Sequence, residues 1–235
     1  MQIKFILILL LSSISCYSQK ATQLIISYGV ESRINYDELD EKIKSNPTQL
    51  MYFKKLQKDY TRLEYSLNIE NTAAEFKLVN KLYSTDGNPN YVAMAEKSVR
   101  YYVDEKVSIE QREAFGEEYL IADRSNNFEW IITTNQKSIL GYNCFKATYQ
   151  KERMTIDAWF APELPFNFGP KGYHGLPGLI LEVVQNSKLA YIASSITEDS
   201  EVWVLKPTTG KQISREEYES RISEAAKAFK DYNKN

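Results

Sequence analysis

The chain has 235 residues, with 29 Lys and Arg against 31 Asp and Glu, one His and a formal net charge of −2. That balance lacks the basic footprint of a nucleic-acid-binding domain. A length of this order, with 43% hydrophobic residues, suits one domain with a sizeable core.

Residues 1–18 read as a cleavable secretory signal peptide. Lys4 is the early charge, Phe5 to Leu11 is apolar, and Ser15-Cys16-Tyr17-Ser18 forms a small polar end. The apolar run breaks at Ser12 and Ser13, well short of the roughly 20 residues that cross a bilayer. The expected product is therefore an unanchored chain starting at Gln19, periplasmic or extracellular, with residues 19–235 as a single β-rich domain. The alternative is a lipoprotein anchored at Cys16, although Ser13, Ile14 and Ser15 lack the branched apolar residue usual three places before such a cysteine. Once Cys16 has left with the leader, Cys144 has no partner for an internal disulfide.

Beyond the leader, Tyr, Phe, Val, Ile and Thr gather in short alternating runs, the period-two pattern of half-buried strands. Strands are expected at Thr22–Gly29, Arg62–Ile69, Glu75–Val79, Arg100–Val103, Val107–Phe115, Glu118–Ala122, Trp130–Thr133, Tyr142–Gln150, Met154–Phe160, Leu179–Gln185 and Leu189–Ile196. Two helical stretches interrupt them. The first covers Tyr36 to Asp59, opens on Asp37, Glu38, Asp40 and Glu41, which suit a helix N-terminus, and is broken at Pro47. The second begins at Ser214, where Ser214 and Glu217 have capping-box spacing. Its stripe of Tyr218, Ile222, Ala225, Phe229 and Tyr232 is expected to dock on the sheet. The fold class is mainly β, of α+β type: a strongly curved antiparallel meander or half-barrel with helices packed on it. Its many Tyr, Phe and Leu residues would line a concave, ligand-holding face.

The segment from Ala161 to Gly178 breaks the pattern, holding Pro162, Pro165, Pro170 and Pro177 with Gly169, Gly172, Gly175 and Gly178. Prolines fix φ and remove donors while glycines admit positive φ, so this is a loop of defined bends. Pro177-Gly178 suits the centre of a type II turn from Leu176 to Leu179, which requires positive φ at Gly178.

Gly175-Leu176-Pro177-Gly178-Leu179-Ile180 resembles the hexapeptide for which the GLPGLI family of secreted Bacteroidetes proteins is named. Trp130-Ile-Ile-Thr133, Gly141-Tyr-Asn-Cys-Phe-Lys-Ala147, Ala158-Trp-Phe-Ala-Pro162 and Gly169-Pro170 stand upstream in similar order and spacing, and the stretch Lys211 to Glu217 is similar downstream. The resemblance covers Trp130 to Val184. It implies export, and it carries no activity, cofactor or catalytic residue with it.

The hexapeptide can be architectural, since its Leu and Ile are apolar and its Pro and Gly make a turn, or it can shape a binding loop. In the second case Tyr173 and His174 at the loop's centre are the expected exposed side chains. His174 is also a candidate general base. Cys144 shares a strand face with Lys146, whose charge would favour the thiolate, or it is a small buried hydrophobe. Asp157 and Glu182 are candidate acids or ordinary outward-facing strand positions. One Cys and one His cannot close a usual zinc site, and no phosphate-binding loop, dinucleotide fingerprint or EF-hand series occurs, so no metal or cofactor is expected.

These readings favour an exported binding or accessory protein of the cell envelope whose partner is a protein, a peptide or an apolar ligand. A hydrolase built on His174, Asp157 or Cys144 is the competing class. A structural component docking on an outer-membrane partner through an exposed Tyr173 and His174 patch is the third.

Overall fold

In the first strand, alternate residues Leu24, Ile26, Tyr28 and Val30 are buried while their neighbours are not, as the period-two pattern requires. The computed structural model describes residues 23–79, 99–104, 106–114, 116–124, 128–199, 201 and 203–232. The leader, its cleavage point, Cys16 and Phe115 lie outside them.

Among the described residues twelve strands follow one another as β1 (Gln23–Ser32), β2 (Glu64–Glu70), β3 (Ala73–Leu78), β4 (Val99–Val103), β5 (Val107–Ala114), β6 (Glu117–Arg124), β7 (Ile131–Ile139), β8 (Tyr142–Lys151), β9 (Met154–Ala161), β10 (Leu179–Gln185), β11 (Leu189–Glu198) and β12 (Lys211–Ile213). All eleven expected strands are present. The largest departure is β7, expected to end at Thr133, because a register irregularity between Ile132 and Gln136 hides its continuation from the alternation pattern.

The single meander gives way to two. Strands β1 to β6 neighbour one another in order, β7 to β11 do likewise, and β1 pairs antiparallel with β11 to join the halves. The short β12 returns to lie parallel to β6. Because β12 and β7 are the two ends of the order, the sheet is open and not closed into a barrel.

Pro47 does end one helix and begin another. A 3-10 turn at Tyr36–Glu38 precedes α1 (Glu41–Lys44) and α2 (Pro47–Tyr60). Pro47 takes the first position of α2, where its missing N–H costs nothing, and the Asn46 side chain accepts from the N–H groups of Thr48 and Gln49. The last helix, α3 (Arg215–Tyr232), starts where Ser214 Oγ accepts from Glu217 N at 3.0 Å. Of its apolar stripe, Tyr218 is buried against Tyr119, Ile121 and Ile213, with the two tyrosine rings 5.6 Å apart, whereas Ile222 is exposed. The Phe229 and Tyr232 side chains lie outside the described ones.

The main core gathers Tyr28, Tyr65, Phe76 and Tyr191, each at most 2% exposed. Tyr65 stacks on Phe76 at 4.9 Å, and Tyr191 meets Tyr65 edge-on at 5.5 Å. Each such ring removes on the order of 150–250 Å² from water. These tyrosines, expected to line a ligand-holding face, instead pack against one another.

Candidate functional site

The loop between β9 and β10 is irregular in dihedral angles yet closely hydrogen-bonded. Phe168 forms an isolated antiparallel bridge with His174, and Gly175 N donates to Asn167 O at 2.9 Å, so its two limbs lie side by side as a short ribbon. Leu179 N donates to Leu164 O and Ile180 N to Phe168 O, each at 2.9 Å, fastening the ribbon to the start of β10. At its bend, Lys171 adopts φ 57° and its ammonium lies 5.1 Å and 5.4 Å from the ring centres of Tyr101 and Tyr191.

Gly178 has φ 155°, the expected sign, but the turn is not type II. Gly178 N donates to Leu176 O at 2.8 Å, a three-residue turn centred on Pro177. The four-residue turn is unavailable because Leu179 N is already given to Leu164 O. A methyl on Gly178 would stand 2.3 Å from the carbonyl oxygen of Ala161, so close approach of two backbones demands glycine here. Within the hexapeptide Leu176, Leu179 and Ile180 are at most 1% exposed, while Gly175 and Pro177 face solvent.

Tyr173 and His174 are both buried, at 6% exposure, which corrects the expectation of an exposed patch. Tyr173 packs near Phe128 and Trp130, its hydroxyl accepts from Gln185 Nε2 at 2.9 Å, and burial pushes its pKa up to about 12. The His174 ring meets Phe128 edge-on at 5.2 Å, and its carbonyl accepts from Trp130 Nε1 at 2.8 Å. His174 Nδ1 lies 2.8 Å from Gly172 O; a carbonyl can only accept, so Nδ1 carries the proton. Burial holds the imidazole below its ordinary pKa, outweighing that hydrogen bond, and the ring is neutral at pH 7.

Two members of the hydrolase set, Cys144 and Asp157, do not meet. Cys144 is fully buried, burial pushes its thiol up to about 11, and its sulfur lies 3.6 Å from Tyr142 O. Cys144 is thus the small buried hydrophobe of the two readings, and the Lys146 ammonium, which the other reading would have used to favour the thiolate, is 2.9 Å from Asp157 Oδ2. Asp157 pairs with Thr148 in the register, four residues along β8 from Cys144, a separation of about 13 Å at the strand rise. Glu182, expected to face outward, is 3% exposed. It is paired with Lys137 and, at 3.2 Å, with Arg33, while Lys137 also lies 4.3 Å from the Trp159 ring centre. Among the described residues no group of three or more His, Cys, Asp and Glu is placed to hold a metal ion.

What the loop does build is a cavity of about 390 Å³. One side is Pro165, Phe166, Asn167 and Phe168 with His174 and Gly175; the other is Asn71 and Thr72, from the turn between β2 and β3, with Val103 and Asp104 at the end of β4. The sequence signalled the loop half through its Gly and Pro density. It carried no signal for Asn71 or Asp104, which reach the site only through sheet pairing.

The molecule is thus an open, twelve-stranded, mostly antiparallel β protein with a Gly/Pro loop sealed against its sheet. Residues 150–182, spanning β9, the loop and most of β10, match the family model described as a protein of unknown function (Porph_ging). Among solved structures, PNGF-II is similar in fold in two crystal forms. In the C2 form, identity is 15% and the TM-score 0.55, over 85% of this chain and 32% of that one. In the P21 form, identity is 16% and the TM-score 0.56, over 86% and 33%. This chain therefore spans about a third of PNGF-II. The comparison with curated proteins gives no match. Among the described residues no helix is long and apolar enough to cross a membrane.

Proposed function

We propose that the protein is an exported binding or accessory component of the cell envelope, and that the cavity beside the Gly/Pro loop is its binding site. One observation carries the proposal: of the ten residues lining the cavity, six lie within the stretch that matches the family model. A volume of about 390 Å³ falls in the range of small-ligand sites, roughly 300–1,000 Å³. The similarity to a third of PNGF-II fits a fold that serves as a module beside other elements. The same reading takes the chain as a GLPGLI-type protein with its leader removed after Ser18, and takes its open sheet as curved.

The outer-membrane docking reading loses the exposed Tyr173 and His174 patch on which it depended. The apolar-ligand version loses the tyrosine-lined face, which is packed.

The test is site-specific photocrosslinking in the native envelope from residue 167, at the cavity, compared with residue 58, exposed on α2. A discrete adduct from 167 and none from 58, or a ligand retained in native mass spectrometry of the mature protein and lost on substituting Asn167, supports the proposal. Equal labelling from both positions with no retained ligand removes it. Gly178→Val is unsuitable for this purpose, since its Cβ would meet backbone and unfold the loop.

A further inference from the structure

The residues around the cavity divide by exposure. Val103, Phe168 and His174 are buried and form the floor, whereas Asn71, Thr72, Asn167 and Gly175 are exposed and form the rim. Among the described residues no lysine or arginine lines it. Asp104, the one carboxylate among the described lining residues, is committed to its own turn: Oδ1 accepts from Lys106 N and Val107 N, each at 2.7 Å, and Oδ2 accepts from the Tyr102 hydroxyl at 3.1 Å. Although burial pulls the Asp104 carboxyl upward, those bonds and the nearby Lys206 charge outweigh it, so the group is ionised at neutral pH.

Resting on the proposed binding role of this cavity, we infer that its occupant is an extended peptide segment that inserts an uncharged side chain onto the Val103, Phe168 and His174 floor. The flanking peptide groups are read at the rim. Each Asn amide offers a donor and an acceptor, and Thr72 adds a hydroxyl that does both, which complements the N–H and C=O of a peptide plane. An acidic side chain would enter beside ionised Asp104, whose charge already faces Lys206, with no lysine or arginine among the described lining residues to offset its lost hydration. A sugar would stack on an open aromatic face, but Phe168 is buried and Phe166 is half-buried against the main core.

Titration of the ¹⁵N-labelled mature protein with capped tripeptides Ac-Gly-Leu-Gly-NH₂ and Ac-Gly-Glu-Gly-NH₂, with maltose and with inorganic phosphate tests this, the Gly175 amide and the Asn167 side-chain NH₂ being the reporters. The expected result is saturation by the leucine peptide at a concentration at least roughly tenfold below the glutamate peptide, and no response to phosphate. Asn167→Asp, at an exposed position, should weaken the leucine peptide by roughly fivefold or more while leaving the urea midpoint unchanged. Equal or tighter binding of the glutamate peptide or of phosphate, saturation by maltose alone, or an Asn167→Asp variant that binds as the parent overturns the inference. If no probe moves the reporters while the crosslink from residue 167 persists, the peptide class falls and the binding role stands; if the crosslink also fails, both fall.

Discussion

The loop from Ala161 to Gly178 and the helical stretch from Glu41 to Tyr60 invert the usual link between regularity and burial. The loop has hardly any regular structure, yet Gly169, Pro170, Gly172, Tyr173, His174, Leu176 and Gly178 are buried in it. In α1 and α2, both regular, Asp59 is the buried residue, and Met51 and Tyr52 are 68% and 58% exposed. A helix satisfies its backbone internally and can stand in water. A loop sealed against a sheet must find partners for its buried N–H and C=O groups, and here they include its own second limb, the start of β10 and the Trp130 indole. That fastening fixes the loop's shape, which a binding wall requires.

The sharpest way to break this comparison is to deny the loop its backbone contact. Gly178→Ala places a methyl 2.3 Å from Ala161 O at a backbone angle that suits glycine, and should cost about 3 kcal/mol or more, read as a lowered urea midpoint. Gly169→Ala meets Ile180 Cβ at 2.6 Å with φ in the ordinary extended range, so it should cost less. Equal stability of parent and Gly178→Ala would show that the loop is not clamped as described.

A second prediction concerns the sheet face to which the loop is tied. Glu182→Gln removes the charge facing Arg33 and Lys137, and because both cations are about a third exposed the loss should be about 1–2 kcal/mol rather than the full cost of a stranded buried charge. Asp157→Asn, in a more open pair with Lys146, should cost under about 0.5 kcal/mol. A double-mutant cycle over Glu182 and Lys137 separates the pair energy from packing loss.

How much of this was legible depends on whether a feature is local. β10 runs from Leu179 to Gln185 as the alternation placed it, and the Ser214 cap and the break at Pro47 are local chemistry. Glu182 was misplaced because β10 is covered on both faces, Leu179 to Val184 all being buried, so alternation along the strand leaves no outward face for it. Tyr173 and His174 were misplaced because Phe128 and Trp130 cover them, and that contact spans 44 residues to Trp130. β12 has three residues and pairs in parallel with β6, far away in sequence, so no local run announces it. The cavity was half legible for the same reason: its loop wall is written in Gly and Pro, and its sheet wall is written in register.

His174 offers a milder test of the seal. Its pKa is lowered in the folded protein, so between that value and the ordinary value near 6.5 the unfolded chain binds more protons than the folded one. The stability it contributes is therefore complete above about pH 6.5 and is lost as pH falls through the folded value. Urea midpoints for parent and His174→Gln, measured at pH 7.5 and stepwise down to pH 5, should converge on acidification. A constant gap would mean that the imidazole is not buried as neutral.

The smallest effect belongs to the other side of the comparison. Met51→Ser on α2 alters a side chain 68% exposed, and without a partner it should shift stability by less than about 0.5 kcal/mol. The contrast is informative because serine is nearly the same compromise of helix propensity wherever it is placed on an open face. A loss above about 1 kcal/mol in the mature protein would show that the α2 surface is covered in solution, and the helical stretch would then join the loop as a packed region.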